Sequence, residues 1–403
     1  MPNVCFYFQV HQPWRLRRYS LFEVGENHDY FSDEQNRRII TRVAEKCYLP
    51  ANRLMLELIH RHHGRFQIAY SISGVAIEQM RRFAPAALQS FRELAATGCV
   101  EFLGETYFHS LASLADEDEF REQVREHSDL IEATFGKRPR VFRNTELIYN
   151  DRIGELAAEL GFAGVACEGA DDVLGWRSPN FVYRHPHANL KLLLKNYRLS
   201  DDIAFRFSNR GWPEFPLTTE KFSGWLHRIN GGGEIVNLFM DYETFGEHQW
   251  SDTGIFEFMR ALPQAVMRDH GWGFLTPSQA LGFHAPVAEM PYKRTVSWAD
   301  TERDISAWLG NELQTDAFKQ LYDLGRELKA RNNPAAIGLW RRLQTSDHFY
   351  YMCTKWYADG DVHAYFSPYE SPYEAYLNFM NVIADLRQSV LWRRGLAAGR
   401  LVG

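Results

Sequence analysis

Four short stretches of the chain crowd carboxylates and imidazoles together. They are HQP (residues 11–13), GETYFHS (104–110) with Glu105 and His109, RNTELIYND (143–151) with Glu146, and MDYETFGEH (240–248) with Asp241, Glu243, Glu247 and His248. Two carboxylates brought from different strands to one cleft can cleave a glycosidic bond: one protonates the leaving oxygen while the other attacks the anomeric carbon or activates water. A histidine or arginine beside them can bind sugar hydroxyls and separate the two carboxyl pKa values. Each residue alone also has a plain structural use. Asp241 could cap a helix, Glu146 could pair with Arg143, and His11 could be a satisfied core histidine. Four such clusters at the ends of apolar runs are poorly explained by chance.

Metal chemistry competes for the same residue types. The 15 histidines contain no H-E-x-x-H and no H-x-x-x-H pair, and His185 and His187 fall in a loop-like HPH. The sequence therefore predicts no metal site. G-x-S-x-G, Walker A and G-x-G-x-x-G motifs are absent too, and no cofactor is expected.

The elements that must position these residues are short β-branched or apolar runs separated by amphipathic stretches. Candidate strands are residues 4–10, 66–72, 100–104, 140–144, 164–167, 191–196, 234–241 and 273–277, with helices between them such as 47–64 and 118–136. In a parallel α/β barrel the reactive groups come from the C-terminal ends of the strands, which is where the four clusters fall. Beyond about residue 291 the texture changes. Segments 316–332, 335–353 and 372–394 carry apolar residues at three-and-four spacing with no strand between them. This predicts a barrel domain over 1–290 and a helical subdomain over 291–403 that completes the cleft.

A chain of 403 residues with 45% hydrophobic content can bury a large core. Its net charge of -6 gives no basic footprint for nucleic acid. Five scattered cysteines without a C-x-x-C pair indicate neither a disulfide framework nor a thiolate metal site. No signal segment and no membrane-length apolar run is recognised, so a cytoplasmic protein is expected. The 11 tryptophans and 19 tyrosines suit sugar-ring stacking, although large cores use aromatics as well.

Taken in order, HQP, GETYFHS, FRNTELIYN and MDYETFGEH, and more loosely VSWADTERDISAWLGN (296–311) with TSDHFYY (345–351), resemble glycoside hydrolase family 57. The resemblance implies an incomplete (β/α)7 barrel followed by a helical bundle, and a retaining α-glucan-active enzyme closest to the α-amylase branch. Matched motif by motif, it implies Glu146 as nucleophile and Asp241 as general acid/base, with His11 and Glu105 lining the donor sugar subsite. Trp298, Asp300 and Asp347 are implied as further sugar contacts. His109, Tyr242, Glu243 and His248 join them as binding candidates from the same clusters, with Tyr242, Phe245 and Trp250 as stacking walls. The expected partner is an α-glucan such as starch, glycogen or a maltooligosaccharide. A 4-α-glucanotransferase would use the same two carboxylates. A metal-dependent carbohydrate deacetylase and a non-catalytic glucan-binding protein are rivals from other classes.

Overall fold

The computed structural model describes residues 2–268, 271–355 and 367–391. Eight strands form one sheet: β1 (Asn3–Val10), β2 (Ile68–Ile72), β3 (Val100–Phe102), β4 (Val141–Arg143), β5 (Gly164–Glu168), β6 (Val182–Arg184), β7 (Lys191–Lys195) and β8 (Ile235–Asp241). Their order is β3-β2-β1-β8-β7-β5-β4, all parallel, with β6 added antiparallel to β7. A bridge between Gly104 and Phe142 links the ends of β3 and β4, the two edges of that order. This is the parallel barrel that the alternating runs predict, in the incomplete seven-stranded form that the family resemblance implies. The run at 273–277 contributes only a bridge, Phe274 to Val4, while β6, just before HPH, was not foreseen.

Both faces of the sheet are buried, which is why its strands read as nearly unbroken apolar runs. Along β1, Val4, Phe6, Phe8 and Val10 point outward into a core shared with helices Leu49–Arg61, Pro85–Ala96 and Ile255–Val266. Cys5 and Tyr7 point inward to Ala69, Val141, Ala166, Leu193 and Phe239. The side-chain period of two thus sorts every strand into a helix-facing and a barrel-facing set.

The chain forms two compact units. One comprises Met1–Gln12, Arg37–Tyr107 and Asp118–Trp298 and holds the sheet. The other comprises Pro13–Asn36, Phe108–Glu117 and Ala299–Gly403. Within this second unit the long helices Glu312–Ala330, Pro334–Leu343 and Pro372–Leu391 supply the core, Trp340 donating from its indole to the Leu321 carbonyl at 2.8 Å. The fully buried Asp385 accepts from the Gly25 amide (2.6 Å) and the Tyr30 hydroxyl (2.6 Å), and lies 2.7 Å from His28 Nδ1. Those contacts tie Pro13–Asn36 to the last helix across some of the longest sequence separations in the chain. The helical reading of 372–394 extends at residues 392–394 beyond the described residues. Among the described residues no helix is long and apolar enough to cross a membrane.

Candidate active site

The barrel-facing positions change character at the C-terminal ends of the strands. Two residues beyond the apolar layer of Tyr7, Ala69, Leu103, Val141, Ala166, Leu193 and Phe239, the same face carries Gln9, Ser71, Glu105, Arg143, Glu168, Lys195 and Asp241. Each parallel strand contributes one polar side chain to this ring. Register ties neighbours together, with Gln9 opposite both Ser71 and Asp241 and Glu168 opposite Lys195.

Glu146 sits three residues beyond the end of β4 in a single 3-10 turn, Thr145–Leu147. Its backbone is left-handed (φ 58°, ψ 22°), as is that of Leu147 (φ 52°). For non-glycine residues this conformation costs free energy and persists only where the surroundings hold it. What holds it here is Trp298, whose amide donates to the Glu146 carbonyl (3.2 Å) and whose indole Nε1–H donates to the carboxylate Oε2 (2.8 Å). The indole is itself wedged. Phe239 packs 5.1 Å from it, and the Arg143 guanidinium and Lys195 ammonium lie 5.8 and 5.2 Å from its ring centre. Lys195 is fixed by Glu168 and Asp201, each at 3.6 Å. Trp298 is thereby a holder of Glu146, beyond the sugar contact expected of it.

Asp241 ends β8 and keeps part of its surface open to a pocket lined also by Lys195, Phe205, Phe239, His248 and Trp298. Behind it, Glu243 is buried and accepts from Tyr48 Oη (2.5 Å) and Gln12 Nε2 (3.4 Å), both on Oε1. Gln12 is placed by Gln79, which donates to its carbonyl at 2.6 Å. Burial, and next the charge of Asp241, push the Glu243 carboxyl up to about 8. His248 keeps some surface on the pocket but is deep enough that burial holds its imidazole down to about 4, so it is neutral at neutral pH.

The remaining candidates separate by position. His11 is half-buried at the end of β1, its Nδ1 2.7 Å from Ser73 Oγ. Glu105 is fully buried, accepts from Ser71 Oγ (3.0 Å) and faces Arg143 at 3.6 Å, so it supports the site from beneath instead of lining it as expected. Its own amide donates to His127 Nδ1 (3.2 Å), which leaves the His127 proton on Nε2, 2.8 Å from the Ile72 carbonyl. Tyr242 corrects the expectation of a sugar contact. It follows an inward residue and so points outward, with no exposed surface, its hydroxyl donating to Asn52 (2.8 Å) and its ring against Phe8 and Tyr70. Phe245 likewise belongs to that core, and of the three proposed walls Trp250 alone is exposed. His109, Asp300 and Asp347 belong to the second unit. There His109 is buried with its carbonyl accepting from the Ser346 amide, Asp300 pairs with Lys355 (3.2 Å), and Asp347 accepts from Thr345 Oγ1 (3.2 Å).

Sequence reasoning missed Arg143, Glu168 and Lys195 as members of the ring. The available signal was a single charged residue at the barrel-facing end of an otherwise apolar run, as in VFR, VACE and LLLK. Among the described residues no three His, Cys, Asp or Glu side chains are grouped to hold a metal ion.

Comparison with known proteins places this geometry. A sequence profile described as Glycosyl hydrolase family 57 matches residues 5–293. A Methanocaldococcus jannaschii protein that carries a provisional α-amylase name is 43% identical over 398 residues, covering 95% of this chain and 83% of that one. Among solved structures, the 4-α-glucanotransferase of Thermococcus litoralis is similar in fold (TM-score 0.70, 14% identity, 96% of this chain). This chain spans 60% of that enzyme's length. A branching enzyme of Thermococcus kodakaraensis superposes with a TM-score of 0.66 (14% identity, 96% of this chain and 90% of that one). An α-amylase of Thermotoga maritima does so with 0.63 (12% identity, 96% and 93%).

Proposed function

Because the chain belongs to glycosyl hydrolase family 57, and so to the glycoside hydrolases, we propose that it cleaves α-1,4-glucosidic bonds by double displacement, with Glu146 as nucleophile and Asp241 as general acid/base. The observation that carries this reading is the pair of carboxylates at the ends of β4 and β8, both within the electrostatic reach of one buried guanidinium, Arg143. Glu146 attacks the anomeric carbon as Asp241 protonates the departing oxygen. A β-glucosyl-enzyme forms, and Asp241 then takes a proton from the incoming water, so the anomeric configuration is retained.

The neighbours of each carboxylate fit its role. The indole N–H from Trp298 holds one oxygen of the Glu146 carboxylate and so orients the group. Asp241 and Glu243 form a coupled pair in which one proton is retained into the neutral range, which supplies an acid at the pH where Glu146 is ionised. His11 and neutral His248 offer hydrogen bonds to sugar hydroxyls, and Phe205, exposed at the pocket rim, a stacking face.

Hydrolysis is favoured over transfer by the name of the 43% identical relative. A product time course from maltotriose and maltoheptaose tests the proposal, with wild type beside Glu146→Gln and Asp241→Asn. Wild type should give only shorter products, and each variant should lose on the order of 10^4-fold in kcat. Longer products would move the activity to transfer. No products from any α-glucan would end the α-glucan reading.

A further inference from the structure

Arg143 is the buried charge that the double-displacement scheme leaves without a task. No part of its side chain is exposed, and its Cζ lies 5.0 Å from the Phe239 ring centre and 5.8 Å from that of Trp298. Its guanidinium faces Glu105 at 3.6 Å, yet none of Nε, Nη1 or Nη2 finds a hydrogen-bond acceptor among the described residues. Nearby, Tyr7 Oη and both amide atoms of Gln9, on the barrel-facing side of β1, are equally buried and unbonded. Burying a cation this way is costly unless compensating charge is close. Three carboxylates, Glu105 first and then Glu146 and Asp241, act against the desolvation of Arg143, which burial still outweighs. On the far side of Trp298, Lys195 is already neutralised by Glu168 and Asp201. Beyond its pairing with Glu105, Arg143 is therefore the buried guanidinium whose field reaches both catalytic candidates.

We propose that Arg143 is a positioning residue for the reaction: a fixed positive charge beneath the site that keeps Glu146 ionised, and so nucleophilic, without touching the sugar. This rests on the α-glucan hydrolase reading above. Its full burial, behind the rings of Phe239 and Trp298, sets it apart from a residue that binds hydroxyls. A charge in this place acts on both catalytic carboxyls, but with opposite consequence. It favours the anion that Glu146 needs and opposes the proton that Asp241 needs. Glu243, the second carboxyl beside Asp241, offsets the latter effect and is out of hydrogen-bond range of Arg143. The guanidinium and the Asp241–Glu243 pair thus push the two catalytic pKa values apart, the condition for one carboxylate to attack while the other donates.

The test is kcat/KM against pH for release of products from maltoheptaose by the full chain, comparing wild type with Arg143→Lys, Arg143→Met and the double variant Arg143→Met/Glu105→Gln. The double variant removes both members of the buried ion pair and so guards against a fold lost to an unpaired Glu105, which thermal unfolding will report. Removing an opposite charge at this range should raise the acidic limb by about 1 to 3 pH units in both Met variants. Arg143→Lys, which keeps the charge, should hold the limb within a few tenths of a unit. An acidic limb that stays in place in the double variant while kcat falls at every pH would overturn the proposal and leave Arg143 a packing residue. Absence of any wild-type product would overturn the α-glucan hydrolase reading, and this inference with it, in a way no Arg143 variant could produce.

Discussion

At Asp241 the neighbouring carboxyl of Glu243 decides how long a proton stays available. Glu243 is held up to about 8 by burial and by the charge of Asp241, against an ordinary 4.5. In Glu243→Gln the amide oxygen can still accept from Tyr48 and Gln12, but the repulsion within the pair is gone. The basic limb of kcat/KM should therefore fall by about one pH unit or more. The same shift has a stability consequence. The folded state keeps a proton that the unfolded chain releases, so this group's contribution declines as pH rises from about 4.5 to about 8. Calorimetry should find the Tm of Glu243→Gln above wild type at pH 9 and close to it at pH 5. An equal difference at both pH values would show that Glu243 is not protonated in the native protein. His248 acts with the opposite sign. Its pKa is lowered to about 4, so the stability it allows is lost as pH falls from 6.5 toward that value. At this scale Asp241 and His11 were noticed because each follows an apolar run, whereas Glu146, behind Arg143, Asn144 and Thr145, was singled out by its cluster and by the family resemblance. Tyr242 was misread because a cluster of polar neighbours hides the alternation that turns it outward.

The strand and the loop after it are the elements that aim Asp241. After Asp241 the chain turns through Gly246, whose φ is 113°. A Cβ there would stand 2.1 Å from the Lys46 carbonyl oxygen, in the π-helical turn Ala44–Tyr48 that also carries Tyr48. Only glycine fits both the conformation and the approach. Gly246→Ala should cost about 2 to 4 kcal/mol and lower kcat, because residues 241–248 must shift together. Gly136→Ala, also at positive φ (82°) but with open space around it, should cost only about 1 kcal/mol and leave kcat unchanged. Equal thermal shifts for the two would mean that the contact with Lys46 does not position the loop. The parallel strands themselves were readable, since buried strands of this kind are apolar on both faces. The ring of seven polar side chains was readable only in part. Charges inside Arg143–Glu105 and Lys195–Glu168 pairs look, in one dimension, like ordinary strand-end solvation.

For the molecule as a whole, the parallel barrel agrees with the alternating runs, and the family match over residues 5–293 and the seven strands agree with the motif resemblance. The recruitment of Pro13–Asn36 and Phe108–Glu117 into the second compact unit was not visible. Its ties, such as Tyr30 to Asp385, join residues 355 apart and leave no local periodicity. In the proposed mechanism, hydrolysis with retention would be a property of the whole active centre, since it needs attack by Glu146 together with proton delivery by Asp241. The most direct measurement is proton NMR of the first anomer released from maltoheptaose, recorded before mutarotation. The account predicts the α-anomer at the newly formed reducing end. First appearance of the β-anomer would contradict double displacement and, with it, the nucleophilic role of Glu146.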